Sequence, residues 1–164
     1  WQGPEDLSAE IRITVDTKAL SMQIDVTDDV FDWKSSKLAL RDRLELALRS
    51  SATDGYWLIN VSGDPRKQNG NSRPKIEIES FGDAPQIDPS AVTLTGKAGG
   101  HRLTYQLKLH RAAFALSSDI ELNVAVWDAD GKGIGGWLEA VPGMKLLREG
   151  IDAPEAWIKA TPEN

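Results

Sequence analysis

The loop that begins at Asp128 has nearly the residue spacing of a calcium-binding loop. Asp128, Asp130 and Glu139 stand at positions one, three and twelve of that pattern, with Gly133 at position six. Acidic oxygens at these positions are what a hard, oxygen-seeking cation requires. Lys132 stands at position five, where a positive charge repels the ion, and no helix is predicted beside the loop. A hairpin turn built on the Asp-Gly pair explains the same residues and is the preferred interpretation.

Asp28, Asp29 and Asp32 form a second group of carboxylates, in a loop that follows a strand-like segment. They could ligate a cation, and a pair such as Asp28 and Asp29 could also flank a glycosidic bond. Acidic residues are nevertheless common at strand ends. The sequence contains no nucleophile-elbow, zinc-protease, phosphate-loop or dinucleotide motif, and neither His101 nor His110 belongs to one. We therefore predict that the chain is not an enzyme.

Six tryptophans are a high number for a chain of 164 residues. Trp57 alternates in phase with apolar neighbours, which predicts a core position, and Trp157 is predicted to pack in a closing strand. Trp127 is out of phase with its neighbours and is predicted to cover the opposite face of its sheet. Trp33 and Trp137 lie in or beside loops, where an aromatic side chain either contacts a ligand or packs at an edge.

The elements that must position these side chains are predicted to be strands, because apolar and polar residues alternate with a period of two through most of the chain. Glycine, proline and aspartate turns separate about eight such runs, and no strand–helix–strand alternation occurs. Only residues 35–40 and 111–116 could form short helices. The pattern predicts an all-β fold, an antiparallel β-sandwich of the immunoglobulin-like or jelly-roll-like kind. The apolar runs span residues 11–15, 20–26, 44–48, 57–61, 76–78, 92–94, 103–109 and 120–126.

Length and composition limit the classes of protein. The 164 residues, 40% of them apolar, fit one domain over residues 1–164 with a substantial core. The formal net charge of −6 argues against nucleic acid and anionic membrane as partners, and no apolar run approaches the ~18 residues of a membrane span. The absence of cysteine excludes disulfides and Cys-ligated metal centres. The chain begins at Trp1 rather than at a methionine, which indicates a domain excised from a longer protein.

Four short motifs follow one another along the chain: residues 3–9 (GPEDLSA), 27–29 (TDD), 42–48 (DRLELAL) and 124–131 (VAVWDADG), the last with Gly136-Trp137 close behind. Their order resembles that of family 9 carbohydrate-binding modules, and the similarity extends over almost the whole chain. The resemblance implies a DOMON-like β-sandwich that binds an oligo- or polysaccharide without cleaving it. It also implies an accessory domain of a secreted or periplasmic glycan-active protein, such as a glycoside hydrolase, that is a monomer or part of a larger chain.

The resemblance further implies which residues bind the sugar. The family grips a sugar between two tryptophans, with acidic, amide and arginine side chains bonding to its hydroxyls. By motif, Trp137 matches one of these tryptophans, and Glu45 matches the acidic residue of the third motif. The segment just before that motif normally holds the second tryptophan; here it has no aromatic residue, and the nearest is Trp33. Asn71 and Arg73, in or beside a long polar loop, complete the predicted carbohydrate-binding set.

Two other functions stay open on the sequence alone. DOMON-like domains share the sandwich and include haem binders, and the only candidate axial ligands here are Met22, Met144, His101 and His110. Met22 falls on the apolar face of its strand, so core packing explains it more simply. The other alternative is a structural or interaction domain that has lost the sugar site, because the second tryptophan is missing from its usual segment.

Overall fold

The computed structural model describes residues 7–28, 31, 42–50, 54–64, 67, 74–116, 119–129 and 136–160. These residues form two antiparallel sheets, one of four strands and one of six, that enclose a common core. The alternating sequence pattern therefore predicted the all-β sandwich correctly. The strands are β1 (Leu7–Val15), β2 (Ala19–Asp28), β3 (Arg43–Ser50), β4 (Tyr56–Ser62), β5 (Lys75–Phe81), β6 (Val92–Gly99), β7 (Arg102–His110), β8 (Ile120–Asp128), β9 (Gly136–Glu139) and β10 (Ile158–Ala160).

The four-stranded sheet, in the order β1-β2-β7-β6, has one apolar and one polar face. Met22 lies opposite Ile13 and Leu107, and the neighbouring residue Gln23 lies opposite Gln106. Because successive side chains of a strand point to opposite faces, the first row enters the core and the second row faces outward.

The six-stranded sheet is buried on both faces over much of its area. Its order is β10-β8-β3-β4-β5, with β9 also paired to β8. The leucines of β3, Leu44, Leu46 and Leu48, face the other sheet, whereas Ala47 lies in a second apolar cluster on the outer face. Burial on both sides explains why β3 and β4 contain no exposed residue.

A short outer cover lies over this second cluster. It consists of the helix α1 (Met144–Arg148) and residues 153–157. Gly143, which precedes α1, has a φ of 132°, and a Cβ placed there would lie 2.4 Å from the Cβ of Ala156. Backbone conformation and space both exclude an L side chain at this position. Gly143 therefore allows the two parts of the cover to pack directly on each other.

Arg49 attaches the last part of this cover to β3. Its guanidinium carbon lies 4.5 Å from the ring centroid of Trp157, and its Nη1 bonds to both carboxylate oxygens of Asp152 at 2.8 and 2.9 Å. The indole N–H of Trp157 donates to the same carboxylate at 2.8 Å. Arg49, Asp152 and Trp157 are called the Trp157 cluster below.

The core between the sheets contains Trp57, which is 0% exposed. Its ring meets Phe114 edge to face, with centroids 5.3 Å apart, and its indole N–H donates to the carbonyl oxygen of Pro85 at 2.8 Å. A buried tryptophan needs such an acceptor for its polar edge. The core position predicted for Trp57 is confirmed.

The helical predictions need correction. Residues 111–115 form turns instead of a helix, and Ala115 has a φ of 46°. The helix α1 was not predicted, because five residues are too few to show a helical period. Residues 35–40 lie outside the described residues. The described residues contain ten strands, which agrees with the prediction of about eight or more; β9 and β10, with four and three residues, are the shortest.

No helix in the part of the chain that the structure describes is long and apolar enough to cross a membrane.

Candidate functional site

Strand register brings three large side chains together on the outer face of the six-stranded sheet. Arg43 of β3 lies opposite Trp127 of β8, and Trp127 lies opposite Trp137 of β9. Neighbouring strands are about 4.8 Å apart, so adjacent side chains of this row are in contact. The next row along the strands holds Glu45 of β3 and Glu139 of β9.

The two tryptophans form a stacked pair. The ring centroids of Trp127 and Trp137 are 5.2 Å apart, and the ring planes differ by 24°. Trp127 is 6% exposed, whereas Trp137 is 49% exposed. The indole N–H of Trp137 donates to Glu139 at 2.7 Å, and the other oxygen of that carboxylate accepts from the backbone N–H of Gly143 at 2.7 Å. The exposed indole is thus held by a ring on one side and by a hydrogen bond at its edge.

Buried charges support Trp127 from the β3 side. The guanidinium carbon of Arg43 lies 4.3 Å from the Trp127 centroid. Glu45 accepts from Arg43 Nε at 3.0 Å through one oxygen and from Trp127 Nε1 at 2.8 Å through the other. The side chains of Arg43 and Glu45 are each 1% exposed. Arg43, Glu45 and Trp127 are called the Trp127 cluster below.

The charges of this cluster compensate one another. Burial lowers the pKa of the Arg43 guanidinium, and the charge of Glu45 acts in the opposite direction. Arg148 of α1 adds a second cation, with its Nε 3.4 Å from the same carboxylate. A buried ion pair of this kind is tolerated only where hydrogen bonds satisfy its polar atoms. The geometry therefore makes the cluster a rigid support under the tryptophan pair.

The arrangement can bind a flat, partly apolar ligand. Trp137 presents a large apolar ring surface, and aromatic rings of this kind pair with apolar C–H groups. Glu45 and Glu139, which accept from the two indole N–H groups, are also hydrogen-bonded to other protein donors. The surface is therefore suited to stacking a ligand and less suited to acid–base chemistry.

Two of the predicted carbohydrate-binding residues lie in the described part of the chain. Trp137 is exposed next to the support described above. Glu45 lies between Leu44 and Leu46 and faces away from the core between the sheets, toward the outer face. It is 1% exposed, and both of its oxygens are bonded inside the Trp127 cluster. Trp33, Asn71 and Arg73 lie outside the described residues.

Trp127, like Arg43, was not assigned to this site from the sequence. Its phase predicted a position on the outer face of its sheet, and the structure confirms that position. The strand pattern, however, could not show that β9 pairs with β8 and sets Trp137 beside it. The out-of-phase position of Trp127 was the sequence feature that pointed to this face. The sequence did not show that Trp137 is its neighbour on the next strand.

Three buried carboxylates, those of Asp28, Asp42 and Asp128, meet beside the Trp127 cluster. One oxygen from each lies within 4.8 Å of the others. Asp28 ends β2, Asp128 ends β8 and Asp42 immediately precedes β3, so three chain segments converge here. Asp28 and Asp128 were predicted in separate groups and Asp42 in neither, because the sequence does not show that β3 pairs with β8 and brings Asp42 to Asp128. Asp42 also accepts a hydrogen bond from the backbone N–H of Ala129 at 2.9 Å.

The calcium-loop spacing begins at Asp128, and residues 130–135 of that loop lie outside the described residues. Glu139, its twelfth position, binds Trp137 and Gly143 and is not part of the three-carboxylate group found among the described residues. Asp29 and Asp130 lie outside the described residues. The three-carboxylate group nevertheless suits Ca²⁺, because two oxygens on opposite sides of that ion are about 5 Å apart.

The outer face of the four-stranded sheet forms a different kind of surface, an open groove of about 480 Å³. At its edge Asp25 accepts from the hydroxyl of Thr104 and the amide of Gln23, and both bonds lower the pKa of its carboxyl group. Among the described residues that line the groove there is no aromatic side chain, so it lacks a stacking surface. The polar lining consists of Arg12, Thr14, Ser21, Gln23, Thr93, Thr95, Gln106 and Lys108.

The candidate haem ligands do not converge. Met22 is buried between the sheets and Met144 in the outer cluster, so the six-stranded sheet separates them. His101 and His110 are exposed and lie at opposite ends of β7, which places them roughly 30 Å apart along an extended strand.

Solved carbohydrate-binding modules share this fold. A family 9 module from Caldicellulosiruptor kristjanssonii in complex with glucose is similar with a TM-score of 0.71 and 12% identity, over 96% of this chain and 78% of that one. The module in complex with cellotriose gives 0.70 and 12%, over 96% and 76%. A Bacteroides uniformis protein gives 0.63 and 14%, over 99% and 82%. No protein-family model and no curated protein matches the sequence. The chain therefore has a fold like that of family 9 carbohydrate-binding modules, as the order of its motifs implied.

Proposed function

We propose that this chain is a non-catalytic carbohydrate-binding module in which a sugar ring stacks on the exposed indole of Trp137. The observation that carries the proposal is the position of this half-exposed ring, with Trp127 stacked against it and Glu139 bonded to its edge. The similar module from Caldicellulosiruptor kristjanssonii was solved with glucose and with cellotriose. Glucose-containing glycans are accordingly the first ligands to test.

The physical basis of binding is the match between an indole and the apolar C–H face of a pyranose. Covering Trp137 with such a face removes apolar surface from water, which is favourable. The indole is already held in place in the free protein. Little side-chain freedom is therefore lost on binding, and this loss is one of the main costs of association.

The same geometry supports binding without cleavage. Most glycoside hydrolases place two carboxyl groups on either side of the scissile bond, one of them free to donate a proton. Here the carboxylate of Glu45 is buried under Trp127, and that of Glu139 is bonded to Trp137 and Gly143. Neither carboxylate faces the open side of Trp137 as a member of such a pair.

The module would serve as an accessory domain of a secreted or periplasmic glycan-active protein. A binding domain that is joined to a catalytic domain raises the effective concentration of that domain on the glycan, and it needs no chemistry of its own. A haem-binding function has less support, because the four candidate ligands are separated by a sheet or by the length of a strand.

Trp137→Ala tests the proposal directly. Loss of a stacking surface should weaken sugar binding by about 1–3 kcal/mol, by analogy with base–aromatic stacking. The half-exposed position should limit the loss of folding stability to roughly 1 kcal/mol. Isothermal titration with glucose, cellotriose and a panel of plant, algal and bacterial polysaccharides measures the first quantity, and urea unfolding measures the second.

Ile151→Ala is the matched control, because Ile151 is 50% exposed and Trp137 is 49% exposed. It removes a similar fraction of exposed apolar side chain at a different place and should leave affinity unchanged. Failure of the unmodified protein to bind any sugar of the panel would refute the proposal. A loss of about 3–5 kcal/mol in folding stability for Trp137→Ala would instead identify a core residue and move the site elsewhere.

A further inference from the structure

Besides its hydrogen bond to Glu139, the Trp137 indole ends a chain of contacts that runs from β3 through β8 to β9. We infer that Glu45 and Arg43 are positioning residues, which set the orientation of the Trp137 indole through Trp127 and do not touch the sugar. Their effect on affinity rests on the proposed function of Trp137. Their effect on the geometry of the ring pair can be measured without any sugar.

Four contacts restrict the Trp127 ring, and one of them is the guanidinium carbon of Arg148, 5.1 Å from the ring centroid. The hydrogen bond from its Nε1 to Glu45, at 2.8 Å, fixes rotation of the ring in its plane. The guanidinium of Arg43, 4.3 Å from the ring centroid, occupies the side toward β3, and Trp137 stacks from the side of β9. Trp137 can hold its observed orientation against Trp127 only while Trp127 holds its own.

Glu45 is not placed to bind a sugar hydroxyl directly. Its side chain is 1% exposed, and its two oxygens accept from Arg43 and from Trp127. To reach a ligand it would have to break its bonds to a buried cation and to a buried indole N–H, which is costly. Glu45 therefore acts on the ligand through the Trp127 indole, to which it is hydrogen-bonded.

Glu45→Gln tests this path with little change in volume. A carboxylate accepts at both ends, whereas an amide offers one acceptor and one donor end, so glutamine can satisfy Trp127 or Arg43 but not both. Stacked indoles give an exciton couplet in far-ultraviolet circular dichroism, and we expect its amplitude to fall in this variant. Cellotriose affinity should fall about three- to tenfold, as expected for one lost hydrogen bond.

Asp152→Asn is the matched control, because it makes the same carboxylate-to-amide change beside Trp157. It should leave the couplet and the affinity unchanged, even if it lowers the melting temperature. An unchanged couplet in Glu45→Gln, or an equal loss in Asp152→Asn, would overturn the inference. If the unmodified protein binds no sugar, the proposed function fails, and the couplet alone decides whether Glu45 orients the rings.

Trp127→Phe separates positioning from direct contact and leaves the Arg43–Glu45 pair intact. It keeps a ring behind Trp137 but removes the N–H that Glu45 holds. If Glu45 acts through Trp127, the added change Glu45→Gln should weaken binding no further in the Trp127→Phe background. Additive losses in the double variant would show direct contact between Glu45 and the sugar, and would overturn the inference. Melting curves confirm that each variant is folded at the temperature of measurement.

Discussion

Two arginine–tryptophan–carboxylate clusters lie on the same face of the same sheet. Arg43 and Arg49 both project outward from β3, and each guanidinium lies over an indole, that of Trp127 or Trp157. In both clusters the indole N–H donates to a carboxylate at 2.8 Å. The local chemistry of the Trp127 cluster and the Trp157 cluster is therefore nearly the same.

The clusters differ in burial and in the ring that lies next to each tryptophan. Arg43 and Glu45 are 1% exposed, whereas Arg49 and Asp152 are 24% and 47% exposed. Trp157 meets the buried ring of Tyr56 edge-on. The Trp127 cluster instead holds an exposed ring, that of Trp137. Similar contacts thus attach a chain segment to the sheet in one place and present a free aromatic surface in the other.

Substitution of Arg43 and of Arg49 should give the largest difference in unfolding free energy between the two clusters. Arg43→Met leaves the carboxylate of Glu45 buried with the Trp127 N–H and the partly exposed Arg148 as its described partners, and should lower the free energy of unfolding by about 3 kcal/mol. Arg49→Met acts in a partly exposed cluster and should cost about 1 kcal/mol or less. Urea unfolding of both variants measures the difference. Equal losses would show that burial does not distinguish the two clusters.

The fold was predictable because the alternation of apolar and polar residues is a local property. Leu20, Met22, Ile24 and Val26 share one face of a strand in any antiparallel sheet, and all four are buried in the core. Length was the limit, since β9 and α1 are too short to show a period, although a closing strand near β10 was expected. Local patterns therefore predicted the sandwich but not all of its smallest elements.

The site was predictable only in part, because it depends on which strands are neighbours. Trp137 was assigned from its place beside a loop, and its exposure agrees with that reasoning. Trp127 and Arg43 join it through the pairing of β8 with β9 and with β3, which no single segment reveals. The same pairing collects Asp42 and Asp128 beside the site. For the tryptophan site and for the carboxylates alike, the sequence did not show which residues of distant strands lie opposite one another.

Added calcium tests whether the carboxylates at the end of the sheet beside the Trp127 cluster bind a metal ion. If Asp28, Asp42 and Asp128 hold the ion, calcium should raise the melting temperature, because a ligand of the folded state alone stabilises it. At a free concentration one hundred times Kd the gain would be about 2.7 kcal/mol. Asp128→Asn should abolish the response, and Asp152→Asn in the Trp157 cluster should keep it. Identical melting curves in millimolar calcium and in EDTA would contradict the metal hypothesis.

The smallest expected effect is a loss of stability at alkaline pH that arises beside the Trp157 cluster. The hydroxyl of Tyr56 donates to the carbonyl oxygen of Leu147 at 2.6 Å, and burial, with the charge of Asp152 in addition, raises the pKa of Tyr56 to about 12. A raised pKa in the folded state favours the neutral phenol. The associated stability is therefore fully present below the unfolded pKa of about 10 and is lost as the pH rises toward about 12.

Tyr56→Phe isolates this effect from the titration of other groups. The difference in unfolding free energy between the unmodified protein and this variant should be constant below about pH 9 and should fall by about 1–2 kcal/mol toward pH 12. Urea unfolding at a series of pH values measures this difference. A difference that stays constant over the whole range would show that Tyr56 titrates normally. The phenol would then have enough contact with water to ionise, and the cover beside the Trp157 cluster would be looser than its contacts indicate.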